Sequence, residues 1–216
     1  MKKLIYEFIG TFFLVFTIGC AVSSGSTIAA LAIGSGLMVM VYAGGHISGA
    51  HYNPAVSLAI FLRKKMKMNE MFQYWAVQLL GGFIGAYMAC YIGGYNHAAT
   101  CVMAPGEGVP ASAAIMAEIL GTFALTYVVL NVATVKANEG NSFYGIAIGF
   151  TVFAMAISLG GVSGGAFNPA VGIGRNLCEA VCTGSGLANT WIYIVGPFIG
   201  STIAALIFNY CNDVKE

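Results

Sequence analysis

Two copies of one short element carry most of the chemistry this chain offers: Asn53-Pro54-Ala55-Val56 and Asn168-Pro169-Ala170-Val171, at an offset of 115 residues. Asn before Pro is a helix-start pattern. The carboxamide oxygen caps the first turn, and Pro sits where its missing N–H is not needed. The apolar runs that follow, 54–62 and 169–181, are about half of what a bilayer crossing requires. Short, Pro-initiated segments at corresponding positions of two halves mark a binding or conduction site. Each helix start carries roughly +0.5 elementary charge. Two that face each other repel cations and protons, while the Asn53 and Asn168 amide hydrogens donate to the oxygen of a passing water or hydroxyl.

One Asn-Pro alone is an ordinary turn or cap, so the repetition has to carry the argument. Ala32-Ile33-Gly34 recurs as Ala147-Ile148-Gly149, and Gly81-Gly82-Phe83-Ile84-Gly85 as Gly196-Pro197-Phe198-Ile199-Gly200, both at 115. Glu7-Phe8-Ile9-Gly10-Thr11 matches Glu118-Ile119-Leu120-Gly121-Thr122 at 111. Matches in the same order mean a duplicated unit, with halves of about 1–108 and 109–216 in one domain.

The elements that must position these motifs follow from composition. Only 8% of residues are charged and mean hydropathy is +0.82, against roughly 25% charge in soluble domains. Residues 8–62, 71–106, 140–174 and 180–212 hold no Asp, Glu, Lys or Arg. Gly, Pro, Asn and charge breaks predict an all-α membrane protein with spans near 4–23, 27–45, 69–92, 112–134, 142–161 and 188–211. The first run has spanning length, carries Glu7 and shows no clear small-residue cleavage site, so it reads as a retained helix and not a signal peptide. Three spans and one half-helix per unit turn the second copy upside down: six transmembrane helices, two re-entrant half-helices, an inverted repeat. The Gly- and Ser-rich segments 44–52 and 160–167 read as extended backbone whose carbonyls line a cavity.

Eight of the nine basic residues (Lys2, Lys3, Arg63, Lys64, Lys65, Lys67, Lys136 and Lys215) fall on one side of this topology, which assigns cytoplasmic N- and C-termini. The ninth, Arg175, lies inside the second half-helix. Trp75, Tyr74, Trp191, Tyr193, Tyr6 and Tyr210 near span ends read as interfacial anchors. A net charge of +1 leaves no nucleic-acid footprint. Cys20, Cys90, Cys101, Cys178, Cys182 and Cys211 form no metal-ligand pattern and read as small hydrophobes. No nucleophile–base pair or metal spacing points to an enzyme, and no cofactor is implied. A secondary transporter shares inverted repeats and broken helices, but spans 2, 3 and 5 offer no charged coupling site.

The chain resembles the aquaporin (major intrinsic protein) family along essentially its whole length. The resemblance rests on the Glu-x-x-Gly-Thr starts and on His46-Ile47-Ser48-Gly49-Ala50-His51-Tyr52-Asn53-Pro54-Ala55-Val56. Its counterpart is Ser163-Gly164-Gly165-Ala166-Phe167-Asn168-Pro169-Ala170. The family implies a homotetramer in the bilayer, placed here in the cell (plasma or inner) membrane, one pore per subunit, and passive flow of water or small neutral solutes. It implies that Glu7 and Glu118 hold the two half-helix loops through backbone N–H groups. His51 is expected to face the cytoplasmic lumen, while His97 in the loop between the third and fourth spans is given no role. Carried onto this chain, the family's four constriction positions are Ile33, Ala156, Gly165 and Val171. Water-selective members place an aromatic, a His and an Arg among them, and all three are missing. The ring therefore reads as apolar and wide, which admits glycerol, urea, ammonia and hydrogen peroxide beside water, and the alternative within the family is a facilitator mainly for one of these solutes. Phe153 and Phe167 are expected to pack more than to narrow the lumen. Arg175, four residues past Val171, leans toward the gap that Val leaves, or else binds loop carbonyls or Glu179.

Overall fold

The computed structural model describes residues 1–93 and 102–212; His97, Cys101 and Lys215 lie outside the described residues. The described residues fold into eight α-helices: α1 (Lys2–Ser23), α2 (Ala29–Ser48), α3 (Pro54–Leu62), α4 (Met68–Gly93), α5 (Ala111–Thr134), α6 (Tyr144–Ser163), α7 (Pro169–Thr183) and α8 (Ile192–Cys211). Six of them are long and apolar enough to cross a bilayer, and α3 and α7 are the half-length pair. A 3-10 turn, Lys136–Asn138, follows α5.

Packing follows the duplication. Helix α1 lies along α4 as α5 lies along α8, and α2 crosses α6 between the halves. At that crossing Gly34 and Gly149 face each other. A Cβ on Gly34 would sit 2.6 Å from the Gly149 carbonyl oxygen, and one on Gly149 2.5 Å from that of Gly34. The recurring Ala-Ile-Gly is thus the point where two backbones touch. Gly81 and Gly85 do the same for α4 against α1, and Gly200 for α8 against α5. Each half-helix also packs across the boundary, α3 on α8 and α7 on α4, so neither half is complete alone.

Three sequence expectations need correction. Helix α2 runs through Ser48 and α6 through Ser163, so most of the segments read as extended, 44–52 and 160–167, is helical. Gly44-Gly45 and Gly160-Gly161 looked like breaks. The helices end instead where Gly49 (φ 86) and Gly164 (φ 92) enter the left-handed region and their N–H groups close back on Gly45 O and Gly160 O. Non-helical backbone is confined to the four residues before each Asn, and three of each four have positive φ: Gly49, Ala50 and Tyr52, and Gly164, Gly165 and Phe167. Tyr74 and Tyr193, taken as interfacial anchors, are fully buried, and Trp75 is tied to the α3 backbone, while Tyr6, Trp191 and Tyr210 are exposed. Cys90 is disulfide-bonded, whereas Cys20, Cys178, Cys182 and Cys211 are free thiols.

Candidate functional site

Both half-helices start as their sequence dictates. Asn53 Oδ1 accepts from Ala55 N at 2.8 Å and Asn168 Oδ1 from Ala170 N at 2.9 Å, with Pro at the first helical position in each. Pro54, Ala55, Pro169 and Ala170 form buried first turns. The amide nitrogens do more than face a lumen. Asn53 Nδ2 donates to Phe167 O at 2.9 Å, and Asn168 Nδ2 donates to Tyr52 O at 2.9 Å. Each cap therefore clamps the carbonyl that precedes the other cap. An amide carries two hydrogens, so one per Asn is left for the cavity that both residues line.

This clamp needs carbonyls aimed across the molecular centre. Tyr52 and Phe167 supply them from strained backbone, at φ 50 and φ 49. Their rings are locked in compensation, Tyr52 over Gly10 and Phe167 over Gly121, where any Cβ would overlap the ring. Phe167 is a packing residue, and neither it nor Phe153 borders the cavity.

Two carboxylates hold the loops. Glu7 Oε1 accepts from Ser48 Oγ (2.7 Å) and His51 N (2.9 Å), and Oε2 from Tyr52 N (2.7 Å) and Gln78 Nε2 (2.8 Å). Glu118 Oε1 accepts from Ser163 Oγ (2.7 Å) and Ala166 N (2.9 Å), and Oε2 from Phe167 N (2.6 Å). Both are fully buried. The orphan N–H groups of each turn thus find their acceptors on a neighbouring span.

Several supporting residues escaped the sequence reading. Tyr74 donates its hydroxyl to Ser48 O at 2.7 Å and Tyr193 to Ser163 O at 2.6 Å, fixing the ends of α2 and α6. Trp75 Nε1 reaches Pro54 O at 2.9 Å. Gln78 bridges Glu7 to Ser57 Oγ (3.1 Å), which in turn meets His51 Nδ1 (3.0 Å). Ser48 and Ser163 share the 115-residue offset and precede the two terminating glycines. That was the available signal for them. Tyr74 and Tyr193 break the offset and left none.

A cavity of about 470 Å³ runs between the halves. Ile33, Ala156, Gly165 and Val171 all border it, together with His51, Asn53, Asn168 and Arg175. A second space of about 900 Å³ opens on the side of Lys65 and Lys136, and His51 borders both. Arg175 is 3% exposed, with Nη1 3.1 Å from Met103 Sδ. Glu179 is engaged elsewhere: Oε1 accepts from Thr183 Oγ1 at 2.8 Å, and Oε2 has no hydrogen-bond partner among the described residues.

The sequence pattern of one protein family, described as Major intrinsic protein, matches residues 1–208. The chain is 33% identical over 241 residues to Aquaporin AqpM of Methanothermobacter marburgensis, covering 98% of both chains. It is also 33% identical over 211 residues to the Glycerol uptake facilitator protein-like 6 of Lactiplantibacillus plantarum, covering 95% of both. Its fold is similar to the X-ray structure of the aquaglyceroporin from Plasmodium falciparum, with TM-score 0.88 and 23% identity over 96% of this chain and 95% of that one.

Proposed function

Because the chain belongs to the major intrinsic protein family, a family of membrane channels, we propose that it is a passive pore for water and small neutral solutes that excludes protons. Glycerol and urea are the first solutes, with ammonia and hydrogen peroxide also admitted. The observation that carries this reading is the meeting of two half-helix starts across one cavity, each Asn amide tied to the other half. A water oxygen between Asn53 and Asn168 receives the remaining amide hydrogens, which turns its own hydrogens outward and breaks a proton-conducting chain. The two positive helix ends add an electrostatic barrier to any cation.

In this reading Ile33, Ala156, Gly165 and Val171 form a wide apolar constriction, and Glu7 and Glu118 are supports that never touch the solute. The single channel domain spans both halves, with cytoplasmic termini in the cell membrane. The exposed apolar residues of the outer helix faces contact lipid and neighbouring subunits of a homotetramer. Stopped-flow light scattering on proteoliposomes tests the function, with an impermeant osmolyte, glycerol and urea in separate runs and a trapped pH dye alongside. Water flux and unsaturable glycerol flux without a proton leak are expected. Saturable flux that depends on an ion gradient would assign a transporter instead.

A further inference from the structure

The lining of the central cavity is almost entirely apolar or neutral, and among the described residues Arg175 is the one on it with a permanent formal charge. It stands four residues beyond Val171 on α7, hence about 6 Å further from the centre on the same helix face. The guanidinium is buried against Met103 Sδ at 3.1 Å, and Met103 lines the cavity with its neighbours Val102 and Ala104. Met103 is itself positioned, since its N–H donates to Asn176 Oδ1 at 2.7 Å. A fixed positive charge thus sits at the mouth opposite the Arg63–Lys67 loop, outside a ring that carries no charge of its own.

We propose that Arg175 is a specificity-determining residue, which keeps small cations out of this mouth while the apolar ring behind it stays wide enough for neutral solutes. The proposal deepens the channel reading and rests on it. Division of labour is the point: charge is sorted at Arg175, size at Val171 and its partners. For a cation about 7 Å from the guanidinium at an effective dielectric constant of about 20, repulsion lowers occupancy roughly 50-fold.

Guanidinium and urea are nearly the same size and differ in charge, so the pair reads the two functions separately. Water flux is measured by stopped flow in proteoliposomes oriented with this mouth outward, with external guanidinium chloride or urea at equal osmolarity and sub-denaturing concentration. Wild type is expected to be insensitive to guanidinium. Arg175→Gln lets the cation enter and lodge in the vestibule, so guanidinium slows water at least twofold, while Arg175→Lys behaves as wild type. Should Arg175→Gln fail to assemble, Met103→Glu keeps the Arg and places a counter-charge beside it. It is expected to become guanidinium-sensitive, while Met103→Gln does not. If Met103→Glu and any assembled Arg175→Gln conduct water as wild type does and ignore guanidinium, the proposal is overturned. Absence of water flux in the wild type would instead sink the channel reading.

Discussion

Removal of the Glu118 carboxylate is the sharpest test of how the second half-helix is held. In Glu118→Ala three donors lose their acceptor at once: Ser163 Oγ, Ala166 N and Phe167 N. Each orphaned buried donor costs about 1–3 kcal/mol. The Ser hydroxyl can rotate to another acceptor, and water entering the vacated space satisfies part of the rest. A net loss of about 3–5 kcal/mol follows, or a fall of about 10 °C in the unfolding midpoint for a chain of this size. The amide variant separates charge from acceptor count. Whichever oxygen of Glu118→Gln becomes NH₂, it meets a backbone N–H, Ala166 on one side or Phe167 on the other. That variant should lose about half as much as Ala. Water permeability should fall in the same order, because Phe167 O is the acceptor that Asn53 needs. Thermal unfolding in detergent with proteoliposome water flux gives both numbers. A Glu118→Ala protein that melts within about 3 °C of wild type and conducts normally would refute the reasoning.

Val171→Arg should suppress glycerol and urea flux more than water flux, which solute-exchange stopped flow reads directly. Gly121→Leu pushes into the Phe167 ring and should destabilise by about 1–3 kcal/mol, with part recovered in the Gly121→Leu/Phe167→Ala double variant by thermal unfolding. The Lys3–Glu70 ion pair (2.8 Å) has side chains 57% and 29% exposed, so Glu70→Gln should change stability by less than about 1 kcal/mol in the same assay.

The half-helix α3 was readable residue for residue because its start is a motif and its end a run of charge from Arg63. The ends of α2 and α6 were not, because glycine has two uses that look alike in sequence. Gly44 lies inside a helix at a point where a Cβ would overlap the Tyr52 hydroxyl, whereas Gly49 ends that helix through positive φ. Tyr74 and Tyr193 misled for a related reason. An aromatic near a span end usually faces the headgroups, but re-entrant loops bring unpaired carbonyls inside the bundle, where a phenol finds a partner. The family resemblance supplied Ile33, Ala156, Gly165 and Val171, which border one space together with Arg175. The reciprocal Asn bonds were beyond reach, since they depend on backbone carbonyls that carry no sequence signature.

Those reciprocal bonds impose an order on biosynthesis. The Glu7 contacts can form as soon as α1, α2 and α4 are in the bilayer, but the Tyr52 carbonyl waits for Asn168, 116 residues later. At about 5–20 residues per second the ribosome needs roughly 6–23 s to deliver it. Through that interval a polar turn sits at membrane depth without its partner, and bare hydrocarbon does not tolerate such a turn. Water must keep the first half company until the second arrives. The two Asn clamps close only after both halves are inserted, so the centre of the pore cannot be completed by the first half alone.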